Sequence, residues 1–147
     1  MVTKEQKQIN LALAYDILAR IPEQRFNLEH WFGSGGGGSP LDDEKDCNTL
    51  ACAAGWLSLS KPFRLNKSDL RFHNFDELFD RFAASKYDKA YIEYRLFGWR
   101  EASRYDRELK SIYFNDKRLA LYRLRREMGE DIELAKNTVL DCAKVIG

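Results

Sequence analysis

The sequence predicts an all-α fold, a compact bundle of five to seven short helices with at most minor strand content. Apolar residues recur at three- and four-residue intervals in most segments. Capping residues stand ahead of these segments, and Pro or Gly stands where they stop. At 147 residues the chain reads as one domain, long enough to bury roughly 68–70% of the surface its unfolded form exposes. No disulfide or metal staple is required for a core of that size.

The first helix is expected from Thr3 to Ile21, with Ile9, Ala12, Leu13, Ile17, Leu18 and Ile21 as its apolar positions. Thr3 and Gln6 have the spacing of a capping box, and Pro22 ends the segment. RFNLEHWF then brings Phe26, Leu28, Trp31 and Phe32 toward the same core. GSGGGGSP, Gly33 to Pro40, has the composition of a flexible engineered linker with nothing to pack. It is read as replacing a native loop between Phe32 and Leu41, whose contribution to function it would hide. After an acidic approach, LDDEKD, Asn48 or Thr49 is expected to cap a helix through Leu59, with carboxylates near its positive end.

Asn74 and Glu77 have capping-box spacing for a helix through about Ala84, with Phe75, Leu78, Phe79 and Phe82 on one face. A helix from Asp88 to Phe97 should close at Gly98 in a left-handed conformation. The alternation in AYIEYRLF also fits a strand. Tyr105, Leu109, Ile112 and Tyr113 are spaced for a helix over 103–113. Asn115 or Asp116 should start the next, with Leu119, Leu121, Tyr122, Leu124 and Met128 apolar and a break near Gly129. The last segment sets Ile132, Ala135, Val139, Cys142, Ala143 and Ile146 on one stripe.

Composition is that of a soluble globular protein, 44% hydrophobic and 32% charged. The absence of an apolar run near eighteen residues excludes a spanning helix, so no membrane association is expected. MVTKEQKQ does not resemble a secretory signal, and three cysteines at no framework density fit a reducing compartment. A cytoplasmic location is expected. Net charge is +1, but residues 81–126 carry 13 Lys/Arg against 6 Asp/Glu (net +7), between flanks of net −3 each. That asymmetry fits an anionic partner, and it equally fits ion pairs between elements of a bundle.

DCNTLACAAGW, residues 46–56, holds the densest chemistry. Cys47 and Cys52, five apart, would point about 140° from one another on a helix. With His30 and Cys142 they could compose a zinc site on paper, yet the paired-knuckle spacing of structural zinc is missing. A thiol just ahead of a helix would have a stabilised thiolate, but no sequence feature places His30 or His73 beside Cys47 as its base. The plainer reading is structural. Ala51, Cys52, Ala53, Ala54 and Gly55 are small, so the helix can approach a neighbour closely, while Trp56 supplies bulk. Cys47, Thr49, Cys52, Gly55 and Trp56 are therefore assigned to the scaffold, with no metal, cofactor or catalytic residue expected.

Taken in order, RFNLEHW, a short variable loop, CNTLACAAGW, a stretch ending LFGW and a later IYF resemble a group of small uncharacterised bacteriophage and bacterial proteins. Their pattern runs R-F-D-M-x-x-W, C-G-T-x-A-C-x-A-G-W, A-x-x-L-F-G-L and L-F-Y. The resemblance spans about two-thirds of the chain and implies lineage and context without an activity. The chain departs from the pattern at Asn48, where glycine is usual, and in its longer basic C-terminal half.

That half supplies the candidate binding residues: Arg118, Tyr122, Arg123, Arg125 and Arg126 on one helix, with Trp99, Arg104 and Arg107 before it. Arginines interleaved with tyrosines can line a pocket that stacks a base and grips phosphates, or can be ordinary packing. Duplex recognition needs a stronger positive charge and a reading helix, so nucleic acid is not expected. The leading expectation is a non-enzymatic phage-type accessory protein that binds and inhibits or redirects a host protein, such as a defence component. The alternatives are a sponge for a nucleotide-like anionic small molecule, and a zinc or thiol enzyme. Oligomeric state is not legible.

Overall fold

The computed structural model describes residues 1–29, 32–33, 50–71 and 74–146, with backbone alone for 32–33, 50–51 and 142–146. Eight α-helices occur among them: α1 (Lys4–Ala19), α2 (Ala53–Leu59), α3 (Lys67–Arg71), α4 (Asp76–Asp80), α5 (Lys86–Phe97), α6 (Arg104–Arg107), α7 (Asp116–Glu127) and α8 (Ile132–Ile146). The all-α architecture is as the sequence predicts, with more and shorter pieces. A two-residue antiparallel bridge, β1 (Phe32–Gly33) with β2 (Leu50–Ala51), pairs Phe32 with Ala51. The linker reading at 34–40 lies outside the described residues, as do His30, Cys47, Asn48, Thr49 and His73.

Thr3 caps α1, its Oγ1 accepting from the Gln6 amide at 3.0 Å. The reciprocal half of the capping box does not form, because the Gln6 side chain donates to Asn10 Oδ1 at 2.9 Å. The buried face of α1 also differs from expectation. Leu11, Ala14 and Leu18 are fully buried, whereas Ile9 is 58% and Leu13 37% exposed. LALAYDILA is apolar on several sides, and polar Asn10 settles the register by donating to the Arg81 carbonyl at 2.8 Å from a nearly buried position.

Cys52, not Asn48 or Thr49, is the N-cap of α2; its sulfur accepts from the Gly55 amide at 3.5 Å. Asn74 Oδ1 takes the Asp76 amide at 3.2 Å, opening a single turn, α4, shorter than expected. Phe75, Leu78, Phe79 and Phe82 are all buried as predicted. Their rings continue into α5 and the 3₁₀ turn Lys61–Phe63: Phe79 and Phe82 lie 5.2 and 5.5 Å from Phe97, and Phe63 lies 5.2 Å from Phe82.

AYIEYRLF is helical, within α5, which Ser85 caps through the Asp88 amide at 3.0 Å. Gly98 ends α5 with φ −70°, not in the left-handed region. Its glycine identity answers a different need, since a Cβ there would sit 2.9 Å from Ala102 Cβ and 3.1 Å from the Tyr94 carbonyl. The left-handed terminator is Gly129, at φ +99°. Residues 103–113 form only one turn of helix, α6; Tyr105 and Leu109 are buried, but Ile112 and Tyr113 are 43% and 78% exposed.

The central element is α7, packed against α1, α5, α6 and α8 and capped by Asn115. Its residues from Lys117 to Leu124 are buried with the exception of Arg118. Lys117, 2% exposed, donates to the Ala19 carbonyl at 2.8 Å, placing a cation at the negative end of α1. Ala135 and Val139 of α8 are fully buried as expected.

Candidate functional site

A buried central helix has to find partners for its own charges, and that decides most of the predicted arginine site. Arg123 is 0% exposed. Its Nε and Nη2 donate to the Asp106 carboxylate at 3.0 and 2.8 Å, Nη2 also to the Trp99 carbonyl at 2.7 Å, and Nη1 to the Gly98 carbonyl. Tyr122, likewise 0% exposed, donates to Glu108 Oε1 at 3.0 Å. Both therefore lie within the core, among the residues that join the helices. Arg126 chelates Glu108 at 2.8 and 2.7 Å and donates to the Glu130 carbonyl at 2.6 Å. Its Glu108 bonds raise its pKa, while the same bonds hold the Glu108 carboxyl below the usual range.

Arg125 lies 4.3 Å above the Tyr15 ring and donates to Glu130 Oε1 at 3.0 Å. Arg118 stands 3.7 Å from Glu23. An incoming anion would have to displace carboxylates already seated on these cations. Arg104 and Arg107 are exposed, with Arg104 5.3 Å over the Tyr105 ring, and Trp99 is 67% exposed. The basic block is therefore spent largely on joining helices.

A second network does the same between α1, α5, α6 and α7. Glu127 accepts from Lys7 at 2.8 Å, from Arg95 at 3.1 and 3.0 Å, and from the Tyr105 hydroxyl. Asp88 accepts from Lys7 at 2.6 Å, from the Ala84 amide at 2.9 Å and from Arg95. Burial pushes both carboxyls up, but these donors outweigh it and leave both below the ordinary range. Burial and Glu127 together push the Tyr105 phenol up to about 12.

In the cysteine box, Cys52 is 2% exposed and burial pushes its thiol up to about 11, so the neutral thiol dominates at neutral pH. Gly55 is buried beside it, and Trp56 fixes its ring by donating from Nε1 to the Arg25 carbonyl at 2.9 Å. Cys47 and Thr49 lie outside the described residues, as does the Cys142 side chain. Among the described residues no group of three or more His, Cys, Asp or Glu is placed to hold a metal.

Several large aromatic side chains also remain open to solvent. Tyr87, Tyr91 and Tyr94 fall at i, i+4 and i+7 of α5, within about 60° of one another around the helix. They are 75%, 49% and 57% exposed, and the Tyr87 and Tyr91 rings stand 5.1 Å apart. Trp99 follows just beyond the helix end. The opposite side of α5 is locked into the core by Ile92 and Leu96, and Phe97 is buried at its flank.

Beside Tyr94 and Trp99 opens a cavity of about 310 Å³ with an apolar lining from Leu28, Cys52, Phe97 and Ala102, and with Glu29 and Glu93 on its wall. Leu28 is placed by its amide donating to Asp116 Oδ2 at 3.2 Å. Neither Glu29 nor Glu93 has a side-chain hydrogen bond or ion pair among the described residues. Nearby bases are occupied: Arg100 pairs with Asp116 at 2.6 Å, and Lys89 with Asp76 and Asp80. Sequence reasoning selected Trp99 here but missed Glu29 and Glu93, which carry no local pattern. The i, i+4, i+7 tyrosines were the available signal. No family model, no curated protein and no solved structure matches this chain.

Proposed function

We propose that the chain is a non-enzymatic accessory protein that docks on a host protein, in a phage setting a defence component, and inhibits or redirects it. The observation that carries this reading is the exposed aromatic face, Tyr87, Tyr91, Tyr94 and Trp99. Soluble proteins seldom leave several large aromatics side by side in water, whereas Tyr and Trp concentrate at interface hot spots. The face stands on a helix anchored by core packing, so little ordering entropy is lost on docking. The resemblance to phage proteins supports the host setting. The internal pairing of Arg123, Arg125 and Arg126 moves the proposed contact away from the basic helix.

A photo-crosslinking residue in place of Tyr91, expressed in the host cell, tests the reading. A discrete protein adduct is expected from that position and none from exposed Gln24. Tyr87→Ser with Tyr94→Ser should weaken the adduct at least tenfold, since hot-spot truncations cost about 2 kcal/mol each. Equal adducts from both positions, or none from Tyr91, would count against docking. A phosphorylated small molecule retained in native mass spectra would favour the sponge instead.

A further inference from the structure

The cavity beside the aromatic face has a chemistry of its own, and it is opposite in sign to the basic half of the chain. Its depth is apolar: Leu28, Phe97 and the neutral thiol of Cys52. Two aromatic faces, Tyr94 and Trp99, stand at its mouth, and two carboxylates without partners among the described residues, Glu29 and Glu93, line it. At about 310 Å³ it lies at the small end of ligand sites. It is sized for one long side chain and is small for a nucleotide.

From this geometry we propose that the cavity is a socket for an arginine side chain of the docked partner. This deepens the docking reading and rests on it. The pieces match the two halves of that side chain. A methylene stem is compatible with Leu28, Phe97 and Cys52, and a planar guanidinium can stack on Trp99 or Tyr94 while its fork meets a carboxylate. A cation seated in the cavity is attracted by both carboxylates that line it. A phosphate or an acidic peptide would meet those carboxylates with the wrong sign. Two described cations of this region, Arg100 and Arg123, are already held by Asp116 and Asp106.

The test uses Nα-acetyl-arginine methylamide as the probe, with the citrulline analogue as its neutral isostere and the lysine analogue as the point-charge control. The Trp99 indole N–H signal in ¹⁵N NMR is followed during titration of the whole chain. Saturable shifts are expected for the arginine probe, with citrulline at least tenfold weaker and lysine intermediate. Glu29→Gln combined with Glu93→Gln should weaken arginine binding about tenfold, and neither change removes a partner among the described residues, so folding by circular dichroism should be unaltered. Exposed Glu77→Gln should change nothing. Equal binding of citrulline, lysine binding above arginine, an unmoved Trp99 signal, or full affinity in the double variant would each overturn the socket. Loss of probe binding with crosslinking at Tyr91 intact removes the socket alone. Probe binding with no adduct at Tyr91 keeps the socket and removes the docking face.

Discussion

Enclosing Arg123 takes a guanidinium out of water, and Asp106 together with the Gly98 and Trp99 carbonyls replaces its hydration. Asp106 is itself only 6% exposed, so removing the cation strands a buried carboxylate. Arg123→Met should therefore cost about 3–5 kcal/mol in urea unfolding, the range for breaking one side of a buried pair. The same substitution at exposed Arg107 should change stability by less than about 0.5 kcal/mol. Gly98, whose carbonyl Arg123 holds, is constrained from the other side as well. A Cβ there would press on Ala102 Cβ and the Tyr94 carbonyl, so Gly98→Ala should destabilise by about 1–3 kcal/mol through overpacking. Adding Ala102→Gly removes the closer clash and should recover part of that loss in the same assay, while the backbone contact at Tyr94 keeps recovery incomplete.

At the scale of elements, α1 shows where periodicity misleads. Leu11→Ala should cost about 2–5 kcal/mol, whereas Ile9→Ala should stay within about 0.5 kcal/mol, because Leu11 is sealed in the core and Ile9 is 58% exposed. Equal losses in thermal or urea unfolding would place the other face inward. The apolar spacing of α7 and α8 was legible because these helices contrast strongly with polar neighbours. In α1 the contrast is weak, and a tertiary bond from Asn10 to the Arg81 carbonyl selects the face. Phe75, Leu78, Phe79 and Phe82 were likewise readable as a core face from their spacing alone. Residues 103–113 were not, because their helical spacing gives way to a turn in which Lys110 takes φ +53°. The candidate site was legible only in part. Trp99 and the tyrosine repeat lie in sequence, but Glu29 and Glu93 line one cavity from positions 64 apart, and no local pattern announces that shared lining.

Across the whole molecule, the ion pairs that consume the basic block tie the stability of the bundle to carboxylate charge. Glu127 and Asp88 gather Lys7, Arg95 and Tyr105 from three other positions in the chain, and Glu108 gathers Tyr122 and Arg126. All three carboxyls have folded-state pKa values below their ordinary ones. The unfolded chain therefore binds protons at a higher pH than the native state does, and each proton it takes up favours unfolding. The contribution is complete above the ordinary carboxylate range, about pH 4–4.5, and disappears as pH falls through the lower folded values. The urea midpoint should be flat from pH 7 to about pH 5 and then drop steeply. Glu127→Gln should lower the midpoint at pH 7, because Lys7 and Arg95 lose a partner, and should also shallow the acid drop, because one linked proton is gone. An unchanged acid limb in that variant would mean that Glu127 is not among the groups whose protonation unfolds the protein. High salt separates this network from surface charge: Glu127 is only 6% exposed, so 1 M sodium chloride should leave most of the acid dependence in place, whereas exposed pairs such as Arg20 with Asp16 are screened.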